Sequence, residues 1–187
     1  MNVRFRRSGE RRYAVIVTLA GEPPRAMDPA PGYDDDIPHD LVHYVVEAEL
    51  GLTKGVYGRA ARGAGTFITT AERDGGPRER ARKQRKQERR ERGLGAQDAR
   101  HAADMAQSER LAALCDVAWR RRHGQRPDPV RSAPVPRSEN AANVERVVSR
   151  LDAIAPLWRA LPVGGELVFE WPNVVRLIRT SERRPAL

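Results

Sequence analysis

The first residues of the chain alternate. Val3 and Phe5 are separated by Arg4, Arg6 follows, and Tyr13-Ala14-Val15-Ile16-Val17-Thr18-Leu19 is rich in β-branched side chains. This pattern predicts strands over residues 3–7 and 12–19, joined as a hairpin through Ser8-Gly9-Glu10. Four prolines and two glycines make residues 21–35 a loop. The period then changes from two to 3.6. Leu41, Val42, Val45, Val46 and Ala48 recur on one broad helical face. Asp36 is suited to cap that helix, Pro38 to occupy its first turn and Gly51 to stop it. A short second helix is expected over about residues 53–62, before Gly63 and Gly65.

Past residue 71 the apolar pattern vanishes. Residues 72–93 carry ten bases and five acids with no apolar face at any period. Such a segment cannot bury enough surface to offset its ordering entropy, so residues 72–95 read as a charged, mobile linker. Helical spacing returns between Ala96 and His123, with Met105, Leu111, Leu114, Cys115, Ala118 and Trp119 on one stripe. Prolines 127, 129, 134 and 136 mark a second linker. A further helix starts near Ser138 or Asn140, with Val144, Val147, Val148, Leu151, Ile154 and Trp158 as its stripe. Pro156 is expected to kink or divide it. Gly164-Gly165 turns the chain into a strand over residues 166–171, which Pro172 ends, and residues 173–180 suit one more short element.

The resulting fold class is α+β: a small antiparallel sheet (the N-terminal hairpin plus the C-terminal strand) packed by two or three helices, with a charged, mobile middle segment. Residues 1–71 hold the hairpin and first helix, 72–95 the linker, and 96–187 the helices and strand that complete the same domain.

Composition narrows this picture. With 187 residues, 40% hydrophobic and only 5% aromatic, the chain supports one modest core built mainly of Val, Leu and Ala. No apolar run approaches the roughly 20 residues of a membrane helix, and no signal-peptide pattern opens the chain. A soluble, cytoplasmic protein without membrane attachment is the expectation. A single cysteine, Cys115, excludes an internal disulfide framework and a CxxC zinc knuckle, and its place on an apolar stripe makes it a core thiol. The 34 basic residues include only three lysines, a bias that fits the codons of a GC-rich bacterial genome. The net charge of +9 is unevenly spread: residues 26–50 hold seven acids and no Lys or Arg, between basic segments on either side. The Asp34-Asp35-Asp36 run is therefore expected to lie against the basic N-terminal segment.

One segment carries candidate chemistry. His39-Asp40-Leu41-Val42-His43 places two imidazoles four residues apart on a helix, close enough to share one ion. Glu47 continues the series one turn later, and the three residues form a stripe on the side away from the apolar face. Imidazole and carboxylate ligands suit Zn²⁺, with Fe²⁺, Ni²⁺ and Mn²⁺ as alternatives. The five residues resemble the HExxH helix of zinc metalloproteases. That resemblance implies that His39 and His43 are metal ligands and that Asp40 takes the general-base position. The family uses Glu there, one methylene longer, and brings its third ligand from farther along the chain than Glu47. Metal-assisted hydrolysis is the reaction class implied if a coordination position stays open. Residues 28–60, including GYDDDIPHDLVHYVVEAELGL, are also similar to a family of uncharacterised proteins of high-GC bacteria, a resemblance that implies no particular activity.

Weaker candidates remain. Asp34, Asp35 and Asp36 suit a hard cation, but no EF-hand loop follows and Pro38 cuts the run short, so capping and loop solvation are the preferred reading. His101 and Asp104 sit one turn apart and are candidates for a distant ligand. No P-loop, dinucleotide fingerprint or GxSxG elbow is present. Two competing readings belong to other classes. Arg82, Arg85, Lys86, Arg89 and Arg90 suit non-specific contact with nucleic-acid phosphates, without the aromatic interleaving of single-strand binders. The two long helices suit an interaction protein if they pair with another chain rather than with each other.

Overall fold

The computed structural model describes residues 1–65, 67–69, 99–126 and 141–174. The N-terminal alternation forms β1 (Asn2–Gly9) and β2 (Arg12–Thr18), paired antiparallel from Asn2 opposite Thr18 to Gly9 opposite Arg12. β5 (Glu166–Glu170) lies along the other edge of β1, with Val3 opposite Phe169 and Phe5 opposite Leu167. Two short strands extend the sheet beyond β2: β3 (Arg25–Met27) and β4 (Ile68–Thr69). The order is β4-β3-β2-β1-β5, with every neighbouring pair antiparallel. β3 falls where the prolines indicate only loop. Three residues, Arg25 to Met27, escape them and pair with Val15–Val17, too short a stretch to show a period of its own.

Among the described residues, four helices accompany the sheet: α1 (His39–Leu50), α2 (Val56–Ala60), α3 (Ala99–Arg122) and α4 (Ala141–Arg159). The inward strand positions Val3, Phe5, Tyr13, Val15, Val17, Leu167 and Phe169 join one core with side chains of all four helices. Phe5 meets Tyr44 and Phe169 edge-on, and Tyr57 stacks on Trp171. Edge-to-face and offset contacts of this kind add to area burial. The hydroxyls are also placed: Tyr44 donates to the Asn173 carbonyl and Tyr57 to the Asp40 carbonyl, at 2.9 and 2.8 Å. On the other face of the sheet, Arg6 and Arg4 flank Ala14 and Ile16 and pair with Glu166. The helix stripes around Leu111 and Val147 pack against each other and against α1, so α3 and α4 cover this core. Cys115 is buried there, as its stripe implies.

Three local expectations need correction. Asp36 does not cap α1; Pro38 holds the cap position and no side chain caps there. Asp34 instead accepts the backbone N–H groups of Asp36 and Ile37, so the turn before the helix is tied one step earlier. Pro156 does not divide α4, which runs unbroken to Arg159. Only three helical residues follow it, and a break that near the end has little left to divide. The acidic run is shared rather than laid on one basic segment. Asp35 faces Arg7 and Arg11, Asp34 takes Arg120 of α3 at 2.9 Å, and Asp36 takes Arg159 of α4 at 3.2 Å. The loop before α1 thereby ties the sheet, α3 and α4 together. The charged segment at 72–95, with Arg82, Arg85, Lys86, Arg89 and Arg90, lies outside the described residues, as does the expected element past residue 174.

The end of α3 is also clasped to α4. His123 and Arg122 bond Asp152 at 2.7 and 3.2 Å, and Arg122 also reaches Glu145. Burial alone would raise the Asp152 carboxyl, but the hydrogen bonds from His123 and Arg122 outweigh it and hold it below its usual value. A depressed folded pKa contributes stability that is present above the unfolded value of 3.8 and is lost as pH falls through the folded one. Asp152→Asn is therefore expected to lower the urea midpoint near neutrality, with the gap to wild type closing below pH 3.8. A gap that stayed constant across the acid range would contradict the clasp.

Candidate metal centre

α1 is buried nearly all round. Every residue from Leu41 to Glu47 is buried, including His43 at 3% exposure and Glu47 at 0%. Of the polar stripe that the helical period turns away from the apolar face, His43 and Glu47 thus do not meet water, while His39 is half-buried. The stripe meets α3 and the start of α2. Within a single helix a face away from the core reads as solvent, but this helix is packed on both sides.

His39 and His43 come together as their spacing indicates. Their rings are 4.6 Å apart and nearly perpendicular, and their Nε2 atoms stand 3.1 Å from each other. Glu109 of α3 brings Oε2 to 3.4 Å from His43 Nε2. These three residues offer ligand atoms that all lie within 4.8 Å of one another. Two imidazole nitrogens and a carboxylate oxygen this close together suit a shared cation. The neighbouring imidazoles also act on Glu109, whose carboxyl is lowered mainly by its hydrogen bond to His43. With its side chain 59% exposed, Glu109 marks the solvent side of the cluster, whereas His43 marks its inner side.

The carboxylate beside the two imidazoles is therefore Glu109, not Glu47. Glu47 is committed elsewhere. Its Oε1 accepts the Val56 N–H at 2.7 Å and the Ser108 hydroxyl at 2.8 Å, and its Oε2 accepts the Tyr57 N–H at 2.9 Å. It closes the first turn of α2, where Gly55 leaves room for it: a Cβ there would lie 2.3 Å from the Glu47 carboxyl carbon. Burial raises the Glu47 carboxyl, and the bonds from Ser108, Tyr57 and Val56 partly offset that. Ser108 also lies 2.9 Å from His43 Nδ1.

Asp40 does not belong to the ligand set of His39, His43 and Glu109. Its carboxylate takes the Tyr13 hydroxyl at 2.5 Å. Asp34, Asp35 and Asp36 are engaged by arginines and backbone, as described above. Asp104 lies on α3 one turn before Ser108, and the side chain of His101 lies outside the described residues.

Ser108 and Glu109 were not legible as site residues. They come from a helix 61 residues away from Glu47, and no local spacing ties them to His39. Among known proteins, the chain matches no family model, no curated protein and no solved structure, so its chemistry rests on its own residues.

Proposed function

We propose that this protein binds a divalent transition-metal ion through His39, His43 and Glu109, and that the ion serves Lewis-acid chemistry at a solvent-facing position. The observation that carries the reading is the convergence of two Nε2 atoms and one carboxylate oxygen. Metal bonds of about 2.0–2.1 Å at tetrahedral angles separate ligand atoms by roughly 3.4 Å. Two of the three separations, 3.1 and 3.4 Å, need little adjustment, and the third, between His39 and Glu109, lies within 4.8 Å. Two imidazoles and a carboxylate suit Zn²⁺, and three protein ligands leave a position for water or substrate. Metal-assisted hydrolysis is then the reaction class to screen.

The test is the metal content of unchelated protein by elemental mass spectrometry, beside His39→Ala/His43→Ala and Glu109→Ala. Wild type is expected to carry close to one ion per chain, the double variant none, and the Glu109 variant a weakly held ion that dialysis removes. Wild type that holds no metal, and takes up none on titration with Zn²⁺, Co²⁺, Ni²⁺ or Mn²⁺, would overturn the reading. The weight would then move to partner binding or to phosphate contact through the Arg-rich segment.

A further inference from the structure

The three most deeply buried polar side chains around the cluster form a chain of their own. Glu47 and Ser108 are fully buried, and His43 is 3% exposed. The protons on this chain can be counted. Both Glu47 oxygens accept backbone N–H groups, from Val56 and Tyr57, and Oε1 also takes the Ser108 hydroxyl. Three donors aimed at one carboxyl suit its ionised, acceptor-only form. Ser108 has a single hydroxyl hydrogen, and it points at Glu47. The 2.9 Å contact between Ser108 Oγ and His43 Nδ1 must then be an N–H···O bond in which His43 donates. With Nδ1 donating to Ser108, the ring can also donate to Glu109 from Nε2 only as an imidazolium; the neutral ring, with its proton on Nδ1, has a bare lone pair on Nε2. Nε2 is the atom that faces His39 and Glu109.

We infer that Glu47, acting through Ser108, fixes His43 as the Nδ1–H tautomer and so presents its Nε2 lone pair to the site before any ion arrives. Ser108 and Glu47 are positioning residues. The inference rests on the proposed metal site for its purpose, but not for its evidence, which lies in the hydrogen bonds alone. It also explains why a carboxylate that heads a five-residue helix is joined to a residue of α3: the same group that anchors α2 sets the ring of the inner ligand. Outer partners of ligating histidines act in this way in metal sites generally, and their loss typically weakens metal binding by about 10–100-fold.

The test separates the two ideas. Nitrogen-15 NMR of the metal-free protein, at a pH where the ring is neutral, reads the tautomer of His43 directly. Wild type is expected to show a protonated Nδ1 and a bare Nε2. Ser108→Ala is expected to shift His43 toward the Nε2–H form, and Ser108→Thr, which keeps the hydroxyl, to restore the wild-type pattern. Isothermal titration with Zn²⁺ is expected to show affinity about 10–100-fold weaker in Ser108→Ala and near wild type in Ser108→Thr. His43 found as Nε2–H in wild type, or unchanged by Ser108→Ala, would overturn the inference whatever the metal content. A wild-type protein with the Nδ1–H ring but no affinity for metal would sink the metal site and leave the positioning chain standing.

Discussion

Glu47→Ala is expected to lose about 3–5 kcal/mol of folding stability, less than the full sum for three buried donors left unpaired at about 1–3 kcal/mol each. The size follows from what Glu47 holds. Its carboxylate is the shared acceptor for the Val56 N–H, the Tyr57 N–H and the Ser108 hydroxyl, which belong to two different helices. Truncation leaves these donors facing a void in a region closed to water, and each buried, unpaired donor costs about 1–3 kcal/mol. Relaxation of the short α2 helix recovers part of that, so the costs do not simply add. Glu47→Gln keeps the volume but not the chemistry. Both carboxylate oxygens accept backbone N–H groups, whereas an amide can accept at only one end and must point its own N–H₂ at the other donor. Its expected cost is smaller than that of the alanine variant, about 1–3 kcal/mol. Urea denaturation of the metal-free protein measures both. A Glu47→Ala midpoint within about 1 kcal/mol of wild type would mean that the three donors find water or new partners, contrary to the closed environment described here.

Gly58→Ala should be nearly as damaging, for a steric reason. A Cβ at Gly58 would lie 1.9 Å from the Thr53 carbonyl oxygen and 2.2 Å from its carbon. Both are backbone atoms, so no rotamer change relieves the clash. α2 would have to move away from the turn at Thr53, and that movement would carry the Val56 and Tyr57 N–H groups off Glu47. Overpacking typically costs about 1–3 kcal/mol and occasionally more. The linked loss of the carboxylate cradle places Gly58→Ala at about 3 kcal/mol or above. Gly51 provides the comparison. It ends α1 at φ 68° with nothing near the position of a Cβ, so Gly51→Ala bears only the left-handed backbone cost of roughly 1–2 kcal/mol. Thermal or chemical melts in which Gly51→Ala proved more destabilising than Gly58→Ala would show that α2 yields more easily than its contacts indicate.

Much of the architecture was legible because it depends on local periods. The alternation around Val3 and Phe5, the β-branched run at 13–19 and the apolar stripes near Val45, Leu114 and Leu151 each indicate an element and the face it buries. Gly51 stops α1 as expected, since a left-handed terminal residue is a local requirement that glycine meets. Elements of three residues or fewer, such as β3 and β4, have no period to read and form only on an edge already offered, β3 on β2 and β4 on β3. The cap of α1 was misplaced for a related reason. Asp34, Asp35 and Asp36 are equivalent as types, and which of them meets backbone and which meets arginine depends on where α3 and α4 arrive.

For the site, the sequence by itself determined one pair. His39 and His43 meet because residues four apart on a helix must share a face, and that holds in any surroundings. Everything beyond the pair was decided by tertiary structure. Whether the histidine stripe faced water or protein, which carboxylate stood beside it, and which nitrogen of His43 carries a proton all depend on α3 crossing α1 at Ser108 and Glu109. Glu47 shows the difference most clearly. Its spacing makes it a plausible third ligand, yet the N–H groups of α2 and the hydroxyl of Ser108 claim its oxygens. Helical geometry dictates the direction in which a side chain leaves its own backbone. Only the packing of distant segments decides what waits for it there.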